Sequence, residues 1–146
     1  MKKMINKIFY TLIFMYMPFI VYGYRPYYFT VNGFQYAFDD DSSTHVRVDD
    51  YSGDSTSITI PRSVVCEYYD YDDRDENNDP KEKRITCTVT SIGDRAFSSS
   101  GLTSVALPNS VKLLGKNVFE GCSSLKSVTL SKGLKSISQG VFAHCY

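Results

Sequence analysis

The feature that most constrains this chain is an internal repeat. Leu102, Val105, Leu107 and Val111 recur as Leu125, Val128, Leu130 and Leu134, an offset of 23 residues. The match continues through Leu114 and Ile137, Val118 and Val141, Phe119 and Phe142, and Cys122 and Cys145. An earlier unit is split. Ser57 to Pro61 precedes Ser104 to Pro108 by 47 residues, and Ile92 to Phe97 precedes Leu114 to Phe119 by 22, so 25 extra residues lie between its halves. Self-similarity at such a period marks units that cannot bury their apolar face alone and close a core only by stacking.

Within one unit, Val105 and Leu107 alternate with Ser104 and Ala106, so a short strand buries one face. Leu102, Val111, Leu114 and Phe119 fill the inside of the coil. Stacking puts Leu102 over Leu125 and Phe119 over Phe142. Pro108 follows the strand and suits an exit turn, because it has no N–H to give a ladder. The spacing predicts a mainly β solenoid. Its outward positions form two columns of small side chains: Ser57, Ser104 and Ser127, and Thr59, Ala106 and Thr129. A flat strip of low side-chain entropy can receive a broad protein partner, so these six residues are the candidate partner-binding face. Lys112, Lys116, Lys126, Lys132 and Lys135 fall on the turns, where they can steer association.

The full pattern, Leu-x-x-Val-x-Leu-Pro-x-x-Val-x-x-Leu-Gly-x-x-Val-Phe-x-x-Cys, resembles the BspA-type (treponemal) leucine-rich repeat. The split unit has the nearest form: Ile58-Thr59-Ile60-Pro61, then Ser91-Ile92-Gly93-Asp94-Arg95-Ala96-Phe97. The resemblance covers residues 55–146. It implies a repeat solenoid of leucine-rich coils and a secreted or cell-surface protein of bacteria, with relatives in some protozoa. It also implies protein–protein adhesion, with host matrix or plasma proteins or other cells as partners; the residues themselves show no catalytic constellation, so no enzymatic activity is expected.

Ahead of the repeats, Lys2, Lys3 and Lys7 precede an apolar run from Ile8 to Tyr22, which is 15 residues long. That is short of the roughly 20 residues a spanning helix needs, and Gly23 follows. The segment 1–23 therefore reads as a secretory signal peptide, with a retained membrane anchor as the alternative. The export signal predicts a secreted or surface location and no span in the mature chain. Residues 24–54 read as an N-terminal β cap. Asn32-Gly33 between Tyr28 to Val31 and Phe34 to Phe38 predicts a two-residue type I′ hairpin, and Val46 to Val48 a further strand. Residues 55–146 hold the repeats, the first interrupted by an insertion at 65–89 and the last incomplete.

Charge narrows the function classes. The chain has 16 basic and 16 acidic residues, a net charge of zero. Without residues 1–23 it has 13 basic against 16 acidic, a net of −3. Nucleic-acid binders carry a basic excess, so nucleic acid is not an expected partner. Charge is polarised along the chain: Asp39 to Asp79 contains 13 acidic residues and three arginines, and Pro80 to Tyr146 nine basic and three acidic residues.

The insertion reads as two strands, Val64 to Tyr68 and Arg84 to Val89, around a mobile charged loop from Asp70 to Lys83. Cys66 and Cys87 sit at its base and are the disulfide candidates of an exported chain. Cys122 and Cys145 occupy equivalent repeat positions whose side chains point the same way, which suits a ladder of buried thiols better than a bridge. No metal or cofactor site is expected. Asp73, Asp75 and Asn77 begin like a calcium loop, but its twelfth position is Arg84, where a bidentate Glu is required. His144 and Cys145 are neighbours on opposite sides of the chain and cannot form a catalytic pair. The chain stops at Tyr146, two residues before the next repeat leucine is due. This predicts either an amino-terminal fragment of a longer array with no independent activity, or an open end that docks onto a partner or a second copy.

Overall fold

The computed structural model describes residues 28–39 and 44–146. The predicted signal segment therefore lies outside the described residues. The chain divides into two compact units, with the distal part of the insertion, residues 68–83, grouping apart from residues 27–67 and 84–146. Strands are the regular elements, and no helix occurs among the described residues. The fold is a mainly β leucine-rich-repeat solenoid, as the periodicity and the resemblance predict.

The chain opens with β1 (Tyr28–Val31) and β2 (Phe34–Phe38), then β3 (His45–Tyr51). Asn32 and Gly33 have φ of 51° and 81° and join β1 to β2, with Val31 opposite Phe34. Both central residues of a type I′ turn need positive φ, which Asn and Gly tolerate best. Phe34, Tyr36 and Phe38 are buried, and the Phe29 ring stacks on Tyr36 at 5.3 Å. Burial pushes the Tyr36 phenol up to about 12, because the ionised form loses its hydration there.

The repeats supply a separate three-stranded parallel sheet of β4 (Ser57–Thr59), β7 (Ser104–Ala106) and β9 (Ser127–Thr129), in that order. The remaining strands are β5 (Ser63–Arg74), β6 (Pro80–Ile92) and β8 (Leu113–Leu114). A larger sheet runs β1-β2-β3-β6-β5, with β8 also paired to β6. Its centre explains how the N-terminal segment meets the repeats. β3 lies parallel to β6, which lies parallel to β8, placing Val48, Ile92 and Leu114 on successive rungs. Gly93 N donates to Val48 O at 2.7 Å and Gly115 N to Ile92 O at 2.9 Å, the same bond one coil apart. The N-terminal strands thus enter the ladder as a preceding rung.

The core is the stack of repeat positions. Leu102, Val105, Leu107, Val111, Leu114, Val118 and Phe119 are all buried. Phe97, Phe119 and Phe142 stack with centroids 5.4 and 5.5 Å apart and planes within 10°. The backbone repeats as well: Phe97 N donates to Val118 O and Phe119 N to Val141 O. The last coil has a neighbour on one side only among the described residues. Leu130, Ile137 and Phe142 are 37, 51 and 40 % exposed, against 6, 4 and 0 % for Leu107, Leu114 and Phe119 one coil earlier.

The insertion departs from expectation at its distal part. The segment expected as a mobile loop from Asp70 to Lys83 is mostly strand: β5 runs to Arg74 and β6 starts at Pro80. The turn shrinks to 75–79, where Asp75 N donates to Asp79 O at 2.9 Å and Asp75 Oδ1 accepts from Asn77 N and Asp79 N. Across the strands, Lys81 and Lys83 both meet the Asp73 carboxylate, at 2.6 and 2.5 Å. Those ammonium groups hold Asp73 below the usual carboxylate range. Composition suggested a loop because charged residues are poor strand formers, but opposite charges facing each other across a ladder offset that.

Candidate partner-binding face

The six predicted face residues come together. β4, β7 and β9 pair in parallel and in register, so Ser57, Ser104 and Ser127 form one row and Thr59, Ala106 and Thr129 the next. The intervening residues Ile58 and Val105 point into the core and are buried, which turns the six outward by the alternation of a strand. Ser104 and Ala106 on the central strand are half-buried, and the four flanking residues are exposed. The grid spacing follows from the sheet: about 4.8 Å between strands, with each strand rising about 3.3 Å per residue.

The Ser57 and Ser104 hydroxyls hydrogen-bond to each other at 2.5 Å. Thr103, just before β7, donates its hydroxyl to Thr56 O at 3.0 Å. These bonds tie consecutive coils along the rim of the face and fix its rotamers. None of the six side chains carries charge, so the face offers hydroxyl donors and acceptors and two methyl-bearing side-chain types. The five turn lysines are all exposed.

The thiol ladder expected at Cys122 and Cys145 is present. Cys122 Sγ donates to Phe97 O and Cys145 Sγ to Phe119 O, both at 2.9 Å, and neither forms a disulfide. Ser100 takes the same place one coil earlier, with its Oγ 3.3 Å from Cys122 Sγ. His144 and Cys145 do not interact: His144 Nδ1 lies 2.8 Å from the Tyr146 hydroxyl. Cys66 and Cys87, the disulfide candidates, are both buried on the inward face of the insertion's base beside Val64 and Val89, and they are not bridged in this structure. Asp73 is held by two lysines and Asp75 by turn N–H groups, so the calcium-like pattern is spent on protein contacts. Among the described residues no group of three or more His, Cys, Asp or Glu is placed to hold a metal.

Sequence reasoning missed the polar struts between coils. Asp94 Oδ1 accepts from Lys116 N at 2.8 Å, and Asn109 Oδ1 from Lys132 N at 3.1 Å. Ser131 is buried and donates to Val111 O at 2.6 Å, and Ser138 donates to Leu114 O at 2.5 Å. None of these residues recurs at its equivalent position, so periodicity carries no signal for them. Also missed was a polar hollow of about 820 Å³ beside β3 and β6. There Arg47 forks onto the Asp49 carboxylate, with Nη2 2.9 Å from Oδ2. That bond raises the guanidinium pKa still further above its ordinary value.

The comparisons with known proteins agree with this geometry. No curated protein matches the chain significantly. Solved structures do. A leucine-rich repeat protein from Bacteroides capillosus is similar at 28 % identity and a TM-score of 0.57, covering 75 % of this chain and 69 % of that one. A leucine rich cell surface protein from Faecalibacterium prausnitzii is similar at 29 % identity and a TM-score of 0.53, over 74 % of this chain and 24 % of that one. A leucine-rich repeat protein from Bacteroides ovatus is similar at 25 % identity and a TM-score of 0.62, over 81 % and 27 %. The chain spans about a quarter of the length of the last two. Residues 76–146 match the BspA type leucine rich repeat region. The coil geometry, the stacked phenylalanines and these likenesses agree on a BspA-type leucine-rich repeat region over residues 76–146, in a chain similar to solved bacterial leucine-rich repeat proteins.

Proposed function

We propose that this chain is an exported, surface-exposed adhesion module that binds a protein partner through the outward face of β4, β7 and β9. Leucine-rich repeat proteins generally act in protein–protein interaction and are non-enzymatic scaffolds. The observation that carries the reading is the in-register grid of Ser57, Thr59, Ser104, Ala106, Ser127 and Thr129. A parallel sheet held by its core presents a flat, rigid surface without ordering long side chains on binding, which lowers the entropic cost of association. The exposed lysines on the turns add attraction toward an acidic partner at low salt. The lysine-flanked apolar segment at residues 1–23 supports export. Among the described residues no helix is long and apolar enough to cross a membrane.

The test is a binding screen of the chain against immobilised matrix proteins, plasma proteins and whole cells, repeated with Ser104→Arg and Ala106→Arg. Both positions lie on the central strand and point away from the core, so the fold should survive. Binding lost in both variants, with an unchanged circular dichroism spectrum, supports this face as the site. Binding retained in both places the partner elsewhere.

A further inference from the structure

We propose that the cleft between the two edges of the larger sheet accepts an extended segment of a partner polypeptide, which adds as a strand between β1 and β5. β1 and β5 are the end strands of the order β1-β2-β3-β6-β5 among the described residues. Both line one cavity of about 640 Å³. Its lining contains consecutive residues from each: Phe29, Thr30 and Val31 from β1, and Ser63, Val64 and Val65 from β5. A strand offers alternate residues to a face and consecutive residues along an edge. The cavity therefore looks onto two backbone edges of one sheet that curls back on itself.

The ladder bonds indicate which backbone groups face the cleft. Val31 and Phe34 flank a two-residue turn, so they exchange ladder bonds, and Phe29 does so with Tyr36. Thr30 lies between and turns its N–H and C=O away from β2. On the other side, Arg62 O accepts from Val89 N at 2.9 Å, which points residues of that parity at β6. Ser63 and Val65 then point their backbone groups the opposite way. An arriving segment finds donors and acceptors on both sides, the arrangement by which extended peptides add to sheet edges. β1 runs parallel to β3 and hence to β6, whereas β5 follows a hairpin against β6. The added strand is therefore parallel to one edge and antiparallel to the other.

Side chains define the segment's chemistry. On the inner side are Phe34, Tyr36 and Val64, all buried, and on the outer side Thr30, Val65 and Glu67, all exposed. The occupant is apolar at alternate positions facing inward and polar at the others, the Glu67 carboxylate being already paired with Arg84. This surface is separate from the β4-β7-β9 face, so the two proposals fail independently.

The probe is a fluorescein-labelled seven-residue peptide of alternating Val and Lys, titrated into the full chain and followed by anisotropy and amide hydrogen exchange. The expected result is saturable binding with at least tenfold slower exchange at residues 29–31 and 63–65. The same peptide N-methylated at each valine should bind at least tenfold more weakly. Thr30→Pro and Val65→Pro each delete an outward N–H without touching an existing ladder bond, and each should weaken binding about tenfold at an unchanged urea midpoint. A misfolded variant at one edge leaves the other as the test. The proposal is overturned by no saturable binding at millimolar peptide, by protection outside these two strands, or by N-methylated peptide binding equally well. That last result would mean a cavity filled by side chains and not by a strand.

Discussion

Phe119 should be worth about twice as much to stability as Phe142, although the two occupy the same position in successive coils. Phe119 is fully buried between Phe97 and Phe142, whereas Phe142 stacks on one ring and keeps 40 % of its surface in water. Truncating a buried phenylalanine to alanine costs about 3–5 kcal/mol. Scaled by the burial that remains, Phe142→Ala costs about 2–3 kcal/mol. Phe119→Ala also breaks two ring pairs and Phe142→Ala one, each worth about 0.5–1.5 kcal/mol beyond its area. A domain of this size shifts its Tm by about 4 °C per kcal/mol, so Phe119→Ala should lower Tm by about 12–20 °C and Phe142→Ala by roughly half that. Urea unfolding followed by circular dichroism gives both values, and the double variant gives the coupling. The pair should couple by about 0.5–1.5 kcal/mol, because stability in stacked repeats is a sum of units and nearest-neighbour interfaces. Equal costs at the two positions, or no coupling, would refute the argument that stacking between coils closes this core.

Three further outcomes follow from particular residues. Cys66 and Cys87, both buried on the same face of the insertion, should form a disulfide in protein recovered from an oxidising compartment, stabilising it by about 3 kcal/mol for a closed loop of about 20 residues. Alkylation in denaturant without reductant should then label Cys122 and Cys145 alone, and four labelled thiols would exclude the bridge. An ultraviolet titration should show a phenol ionising near the raised Tyr36 value of about 12, a step absent from Tyr36→Phe. Because its folded pKa lies above the ordinary 10, its contribution to stability is fully present below pH 10 and is lost as pH rises through 12. A Tyr36→Phe variant should lack that alkaline loss. Gly33→Ala should destabilise the first hairpin by about 1 kcal/mol or more, measured as faster amide exchange across β1 and β2. Gly33 sits at φ 81° and an added Cβ would lie 2.9 Å from the Gly53 backbone, so unchanged exchange would mean that the turn relaxes freely.

The amino-acid sequence alone determined what has a short period. The 23-residue offset located the stacked phenylalanines, the thiol positions and the in-register face, because identical units stacked by translation must align equivalent atoms. Asn32-Gly33 determined the first hairpin, since the turn geometry is set by two adjacent residues. The tertiary structure decided the rest. Strand formation through Asp70 to Arg74 depends on Lys81 and Lys83 meeting Asp73 across a ladder, a pairing that no local propensity encodes. The parallel join of β3 to β6 links residues more than forty apart in sequence, setting Val46 beside Val89 and Val48 beside Ile92, a pairing that no local pattern specifies. The cleft between β1 and β5 exists only because the sheet curls, and that curl is a cumulative property of all its strands, written in no single one of them.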